Sequence, residues 1–334
     1  MRKRDLKTLK FDLILLFAAA IWGFAFVAQR MGMDHVGPYT FNGLRFALGA
    51  LTLLPFLILS QIKRKKDAAH GEQSDARGAA LPVSGDLDMA KQLKGGILAG
   101  IALFAGASFQ QVGLVYTTAG KAGFITGLYV VIVPIIGLLW REKTVAGTWL
   151  GAGLASVGLY FLSVGESMTI SHGDFLVLMG AFCFAAHVII VGKLASRMNT
   201  LNLSIIQSLV CSAASLAVAV ALENITLEGI RMAAVPIFYG GAFSVGIAYS
   251  LQIYGQKGTH PANAAIILSL ESVFAAIGGW FVLSEVLSGR ALMGCAVMLA
   301  GMLLSQLYPY MVPLGRDAAN IKLSRDEIPP VSLS

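Results

Sequence analysis

Apolar residues along this chain neither alternate nor recur every third or fourth position. They fall in near-continuous runs of about 18 to 23 residues, long enough for one helix each to cross the hydrocarbon layer of a bilayer. Spans are predicted near 11–28, 38–60, 95–117, 120–140, 145–163, 174–192, 202–222, 232–254, 262–283 and 289–307. The fold class expected is therefore an all-α membrane protein of ten transmembrane helices. Most connections are short, which makes sequential helices antiparallel neighbours. The exception is 61–93, where Lys63-Arg64-Lys65-Lys66 opens a polar stretch rich in Ala, Gly, Asp and Ser, read as a mobile loop.

Composition agrees with lipid as the solvent. Of 334 residues, 56% are hydrophobic and only 13% charged, roughly half the charge of a soluble domain. The formal charge of +7 is explained by where the basic residues sit, and no nucleic-acid module accompanies it. With the N-terminus in the cytoplasm, inner segments hold 20 of the 25 Lys and Arg. The outer segments hold only Arg30, Lys121, Arg231 and Arg290, and Arg45 lies inside a span. That asymmetry is the positive-inside pattern of a bacterial inner-membrane protein with both termini cytoplasmic. Arg2-Lys3-Arg4 before the first apolar run resembles a signal peptide, but nine further spans favour a retained first helix. Cys183, Cys211 and Cys295 all lie inside spans and read as packing residues.

The chain also resembles itself. Sliding it by 162 places Asp12 on Asp174, Trp22 on Phe184, Gly23 on Ala185 and Arg45 on Gln207. Sliding it by 143 places Leu128-Tyr129 on Glu271-Ser272 and Glu142 on Glu285. The expected organisation is a basic N-terminus over 1–10, a first repeat over 11–163, a second over 174–307 and a cytoplasmic tail over 308–334. Five spans per repeat is an odd number, so the second copy should be inverted relative to the first. Inverted copies can open a shared midplane cavity to either side in turn.

Several landmarks carry a further likeness: the Trp22-Gly23 pair, Leu44-Arg45-Phe46 after Pro38, Ala122 through Pro134 followed by Arg141-Glu142, and Leu270-Glu271 followed by Glu285. Together they resemble the drug/metabolite transporter superfamily, in particular its EamA-type members with two EamA repeats. The resemblance covers about 11–307, nearly the whole chain. It implies a ten-helix carrier, with export of metabolites or amino acids as the common activity. Where that family usually has Glu-Pro in the ninth span, this chain has Glu271-Ser272.

Polar groups in a bilayer are costly and usually face the bundle interior or a wet cavity, so they are the site candidates. Glu271, near the middle of its span, can bind a substrate amine or take up a proton. Arg45, about 7 residues inside the outer end of its span, can snorkel to the interface, fix helix packing or bind a substrate carboxylate. Gln110 and Gln111 in the third span mirror Tyr249 and Gln252 in the eighth, offering neutral donors and acceptors or simply joining helices. His187 is a second coupling candidate, against the commoner reading of a hydrogen-bonded histidine between helices. Trp22, Phe24, Phe109, Tyr116 and Tyr129 can supply an apolar wall, or ordinary packing. Gly96 with Gly100, and Gly147 with Gly151, have the small-xxx-small spacing that lets helices approach.

Other chemistries lack their motifs. Gly120-Lys121 is followed by Ala122 rather than Ser or Thr, so it is no phosphate loop, and no zinc motif occurs. Neither a cofactor nor enzymatic activity is expected; the partners expected are a small-molecule substrate and membrane lipid, not nucleic acid, with a homodimer left open. The leading expectation is a secondary transporter. The alternatives are a non-transporting receptor or assembly subunit, and an intramembrane lipid-modifying enzyme that would use Glu271 or His187 as acid or base.

Overall fold

The computed structural model describes residues 3–69, 89–137, 146–163, 171–195, 197–256 and 267–311. Among these residues the regular structure is helical throughout. The first part comprises α1 (Lys3–Gly32), α2 (Pro38–Ala69), α3 (Met89–Gly113), α4 (Ala119–Gly127), α5 (Tyr129–Gly137) and α6 (Ala146–Ser163). The second comprises α7 (His172–Ala195), α8 (Thr200–Leu222), α9 (Leu227–Met232), α10 (Ala234–Phe238), a π-helix (Tyr239–Ala248), α11 (Tyr249–Gln256), α12 (Glu271–Leu283) and α13 (Gly289–Met311).

Among the described residues, seven helical stretches are long and apolar enough to cross a membrane, and three more, Trp149–Leu162, Ile267–Leu283 and Gly289–Leu304, are apolar but shorter. The loop expected over 61–93 is narrower than its polarity suggested. α2 runs on to Ala69 and α3 begins at Met89, because Lys and Arg are good helix formers and no Gly or Pro interrupts before Gly71. The remainder of that loop, and Arg141-Glu142, lie outside the described residues. Two expected spans are not continuous: the fourth breaks at Leu128 and the ninth at Leu270. In each, the residue at the break donates its N–H three positions back, Leu128 to Ile125 and Leu270 to Ile267, both at 3.2 Å.

Neighbouring helices pair in a pattern that survives exchanging each segment for the one five places on. α2 packs on α8, α4 on α12 and α6 on α13, so these pairs map onto themselves. The contact of α3 with α7 corresponds to that of α1 with the π-helix and α11, and α1 on α12 corresponds to α4 and α5 on α7. Glycines permit the closest approaches. A Cβ at Gly294 would lie 2.7 Å from the Gly158 carbonyl oxygen, and one at Gly301 would lie 2.7 Å from that of Gly151. Gly96 and Gly100 face Ile206 and Val210, so that pair is a helix seam, and Gly147 faces Tyr308.

At the end of the bundle where α1 finishes, polar side chains tie the first part of the chain to the second. The Glu223 carboxylate accepts from the N–H groups of Tyr39 (2.8 Å) and Thr40 (2.7 Å) at the start of α2. The Glu285 carboxylate accepts from Ala119 N–H (2.8 Å) and Gly120 N–H (3.0 Å) at the start of α4. Buried Asp174 accepts from Thr117 Oγ1 and pairs with Lys121 Nζ at 3.5 Å. The two glutamates satisfy amide groups that a helix start leaves without partners, with the favourable end of the helix dipole facing them.

Candidate functional site

A partly open cavity of about 60 Å³ lies between the two parts of the chain. Stripes of helix face line it. On α1, Trp22, Ala25, Phe26 and Gln29 follow the i, i+3, i+4, i+7 spacing of one face. Phe184, His187 and Val188 do the same on α7. Three of these stand 162 positions from three of the others: Trp22 and Phe184, Ala25 and His187, Phe26 and Val188. Gln110 and Gln252, 142 positions apart, both line the cavity as well.

The breaks in the fourth and ninth segments place the two side chains with acid–base character. Tyr129 is the first residue of α5 and Glu271 the first of α12, and both face the cavity. The phenol lies against the carboxyl, and Tyr129 Oη and Glu271 Oε1 are both buried with no hydrogen bond of ordinary length and angle. Gln29 Oε1 and Gln252 Oε1 are in the same condition. Buried polar atoms left unmatched are costly, and these four share one cavity, where water or a polar solute can satisfy them. Gly23 sets how near α1 comes to this site: a Cβ there would fall 2.8 Å from the Glu271 carbonyl oxygen and 2.2 Å from Phe274 Cβ. The Trp22-Gly23 pair therefore joins a lining side chain to a backbone contact.

Arg45 lies on the cavity wall and is 4% exposed. It does not snorkel. Asn42 Oδ1 accepts from its Nε at 3.0 Å, and the guanidinium stacks over Phe46 (4.9 Å) and Phe41 (5.7 Å). Asn42 is itself held by donating to the Ala107 carbonyl at 3.0 Å. The helix phase of α2 turns Arg45 inward, and depth along the helix alone could not have revealed that. Arg45 takes part in neither the Arg30–Asp34 nor the Lys121–Asp174 ion pair. Its charge is eased by ring faces and one amide oxygen rather than by a carboxylate.

Tyr249 stands among aromatic rings, edge-on to Trp22 (centroids 4.9 Å) and perpendicular to His187 (6.2 Å). His187 Nε2 lies 3.0 Å from Gln207 Oε1, which makes that nitrogen the donor. The π-helix matters here: its turns take about one residue more than an α-helix, so Ser244 and Tyr249, five apart, both face the cavity. The Ser244 carbonyl also accepts from Trp22 Nε1 at 3.2 Å.

Eight of the side chains expected at the site thus share one cavity. Gln111 does not: it is fully buried and donates to the Gln29 carbonyl at 3.2 Å, one residue out of phase with Gln110. Of the expected apolar wall, Trp22 and Tyr129 take part, whereas Phe24, Phe109 and Tyr116 are 37%, 40% and 60% exposed on the outside of the bundle. Gln29, Thr126 and Ser244 were not anticipated. Gln29 was legible from its spacing of seven from Trp22. The cavity position of Ser244 depends on the π-helix and had no sequence signal. Among the described residues, no group of three or more His, Cys, Asp or Glu is placed to hold a metal ion.

An all-helical membrane protein with a polar cavity at the junction of its two parts is the class defined so far. The chain belongs to the EamA-like transporter family, whose pattern it matches twice, over residues 9–164 and 171–307. It is 32% identical to an uncharacterized transporter of Archaeoglobus fulgidus over 302 residues, 90% of this chain and 87% of that protein. It is also 21% identical to the uncharacterized transporter YoaV of Bacillus subtilis, covering 87% of this chain and 94% of that one. A solved crystal structure of a protein 18% identical in sequence shares the fold with a TM-score of 0.63, over 91% of this chain and 99% of the other.

Proposed function

We propose that this transporter is a secondary carrier that exports amino acids or related small metabolites across a bacterial inner membrane by alternating access. The two repeats are inverted copies, both termini are cytoplasmic, and the cavity between the repeats is the substrate site. The observation that carries this reading is the cavity itself, with Glu271 and Tyr129 set against each other at paired helix breaks. The exchange of helix neighbours across the two repeats supports the inversion, and the basic bias of alternate connections supports the orientation.

In this cycle a solute enters from the cytoplasm and places an anionic group at Arg45, which has no carboxylate partner among the described residues. Its amino or other donor group reaches Glu271, and Tyr249 stands between the two ends. Glu271 either binds the cationic group directly or gives up a proton as the solute loads, which couples occupancy to the proton gradient. Gln110 and Gln252 contribute neutral hydrogen bonds, Trp22 and Tyr129 shape the wall, and His187 orders it through Gln207. Flux of a labelled metabolite panel across sealed vesicles tests the proposal. Movement of a zwitterionic or anionic solute is expected; a panel in which nothing moves under any gradient overturns it.

A further inference from the structure

We infer that Glu223 and Glu285, together with Asp174, form a gate lock that holds the two repeats together at the end where α1 finishes, and that this lock opens in each cycle. The inference rests on the carrier reading above.

Each of the three carboxylates belongs to the second repeat and each of its partners to the first: Tyr39 and Thr40 for Glu223, Ala119 and Gly120 for Glu285, Thr117 and Lys121 for Asp174. Thr40 Oγ1 adds a further bond to Glu223 at 2.6 Å. A helix start is ordinarily capped by a residue just before it, as Asn199 caps α8 through Leu201 N–H at 2.9 Å. α2 instead takes its acceptor from a residue 183 positions or more along the chain. Capping α2 for stability alone would need nothing from the other repeat. Borrowing the acceptor makes the stability of a helix start conditional on the repeats being closed at that end.

Both glutamate seats are built for a carboxylate. A Cβ at Gly37 would lie 2.2 Å from Glu223 Cδ, and a Cβ at Gly279 would lie 2.4 Å from Glu285 Oε2. Glycine at those positions leaves the space the carboxylates occupy. Ser284, with φ of 56°, turns the chain out of α12 so that Glu285 faces back toward α4, its own N–H bonded to the Gly279 carbonyl at 3.0 Å. Glu223 and Glu285 are only half-buried, so water can replace their bonds at modest cost. Such contacts hold a face closed yet release it, which the glycine-packed seam between α6 and α13 could not do.

The test is sidedness of labelling in the full-length chain. With Cys183, Cys211 and Cys295 replaced, a Ser244→Cys reporter in the cavity is exposed to a membrane-impermeant maleimide in right-side-out and in inside-out vesicles. Glu223→Ala with Glu285→Ala should raise labelling from outside roughly tenfold or more while lowering it from inside, as expected of a shifted two-state equilibrium. Gly37→Ala and Gly279→Ala, which keep both carboxylates but fill their seats, should shift it in the same direction. Unchanged labelling, or a rise from both sides that signals general loosening, overturns the lock. The assay needs no solute, so a shift in labelling alongside a silent flux panel would sink the carrier reading and leave the lock standing.

Discussion

The fourth and ninth segments of this bundle break in the same way and offer different chemistry. Ile125 to Leu128 and Ile267 to Leu270 close the same short turn, 142 positions apart, and the next residue is Tyr129 in one and Glu271 in the other. A backbone device has been kept in both copies, while the group it presents has diverged. The phenol can only offer a neutral hydrogen bond near physiological pH, whereas the carboxyl can change its charge. A fold with paired helix breaks can therefore carry one ionisable site and one partner that tunes it.

Replacing the carboxyl should break this comparison outright. Glu271→Gln is expected to lower flux roughly 100-fold, the scale of losing a charged hydrogen-bonding group, and to flatten the pH profile while the protein remains inserted. Flux at the wild-type rate and pH dependence in that variant would end the assignment. Tyr129→Phe should cost roughly tenfold, a single neutral hydrogen bond, and should keep a pH profile; a flat profile would mean that the phenol, not the carboxyl, carries the titration. Gln110→Leu and Gln252→Leu, compared in the same flux assay, should each lower the rate by about threefold, in line with about half a kcal/mol apiece. Unequal losses would extend the divergence from the breaks to the mirrored amides. Phe109→Leu, on the lipid-facing side, should leave flux and thermal stability unchanged, and a transport defect there would show that helix phase has been misassigned.

Much of this is legible in the sequence itself. Runs of apolar residues located the helices, and polar residues within them located the cavity, because lipid leaves a polar side chain few other places to go. What the sequence left open was register and phase. A slide of 143 set Leu128 opposite Glu271; the helix breaks move the match by one residue and make Tyr129 the counterpart. One residue is about 100° of helix rotation, enough to separate Gln110 on the cavity wall from Gln111 behind it. Arg45 was ambiguous for the same reason, since depth in the membrane says nothing about direction around the axis. The contacts of Glu223 and Glu285 were not legible, because they join residues 165 or more positions apart; Glu285 stood out as a landmark matched to Glu142, with no partner implied, and Glu223 carried no signal.

The seam between α6 and α13 has a consequence for how this chain can change over generations. Gly158 opposes Gly294 and Gly151 opposes Gly301, backbone against backbone. Elsewhere in a protein core, an enlarged residue can be accommodated when its neighbour shrinks. Here most of what an added Cβ would meet is backbone, of Gly294 and Met298 against Gly158, of Gly158 and Leu162 against Gly294, and of Gly151 and Ala155 against Gly301, and backbone cannot shrink to make room. Drift at these four positions is closed from both sides, and the two copies, free to diverge at Tyr129 and Glu271, are bound along this line to stay alike.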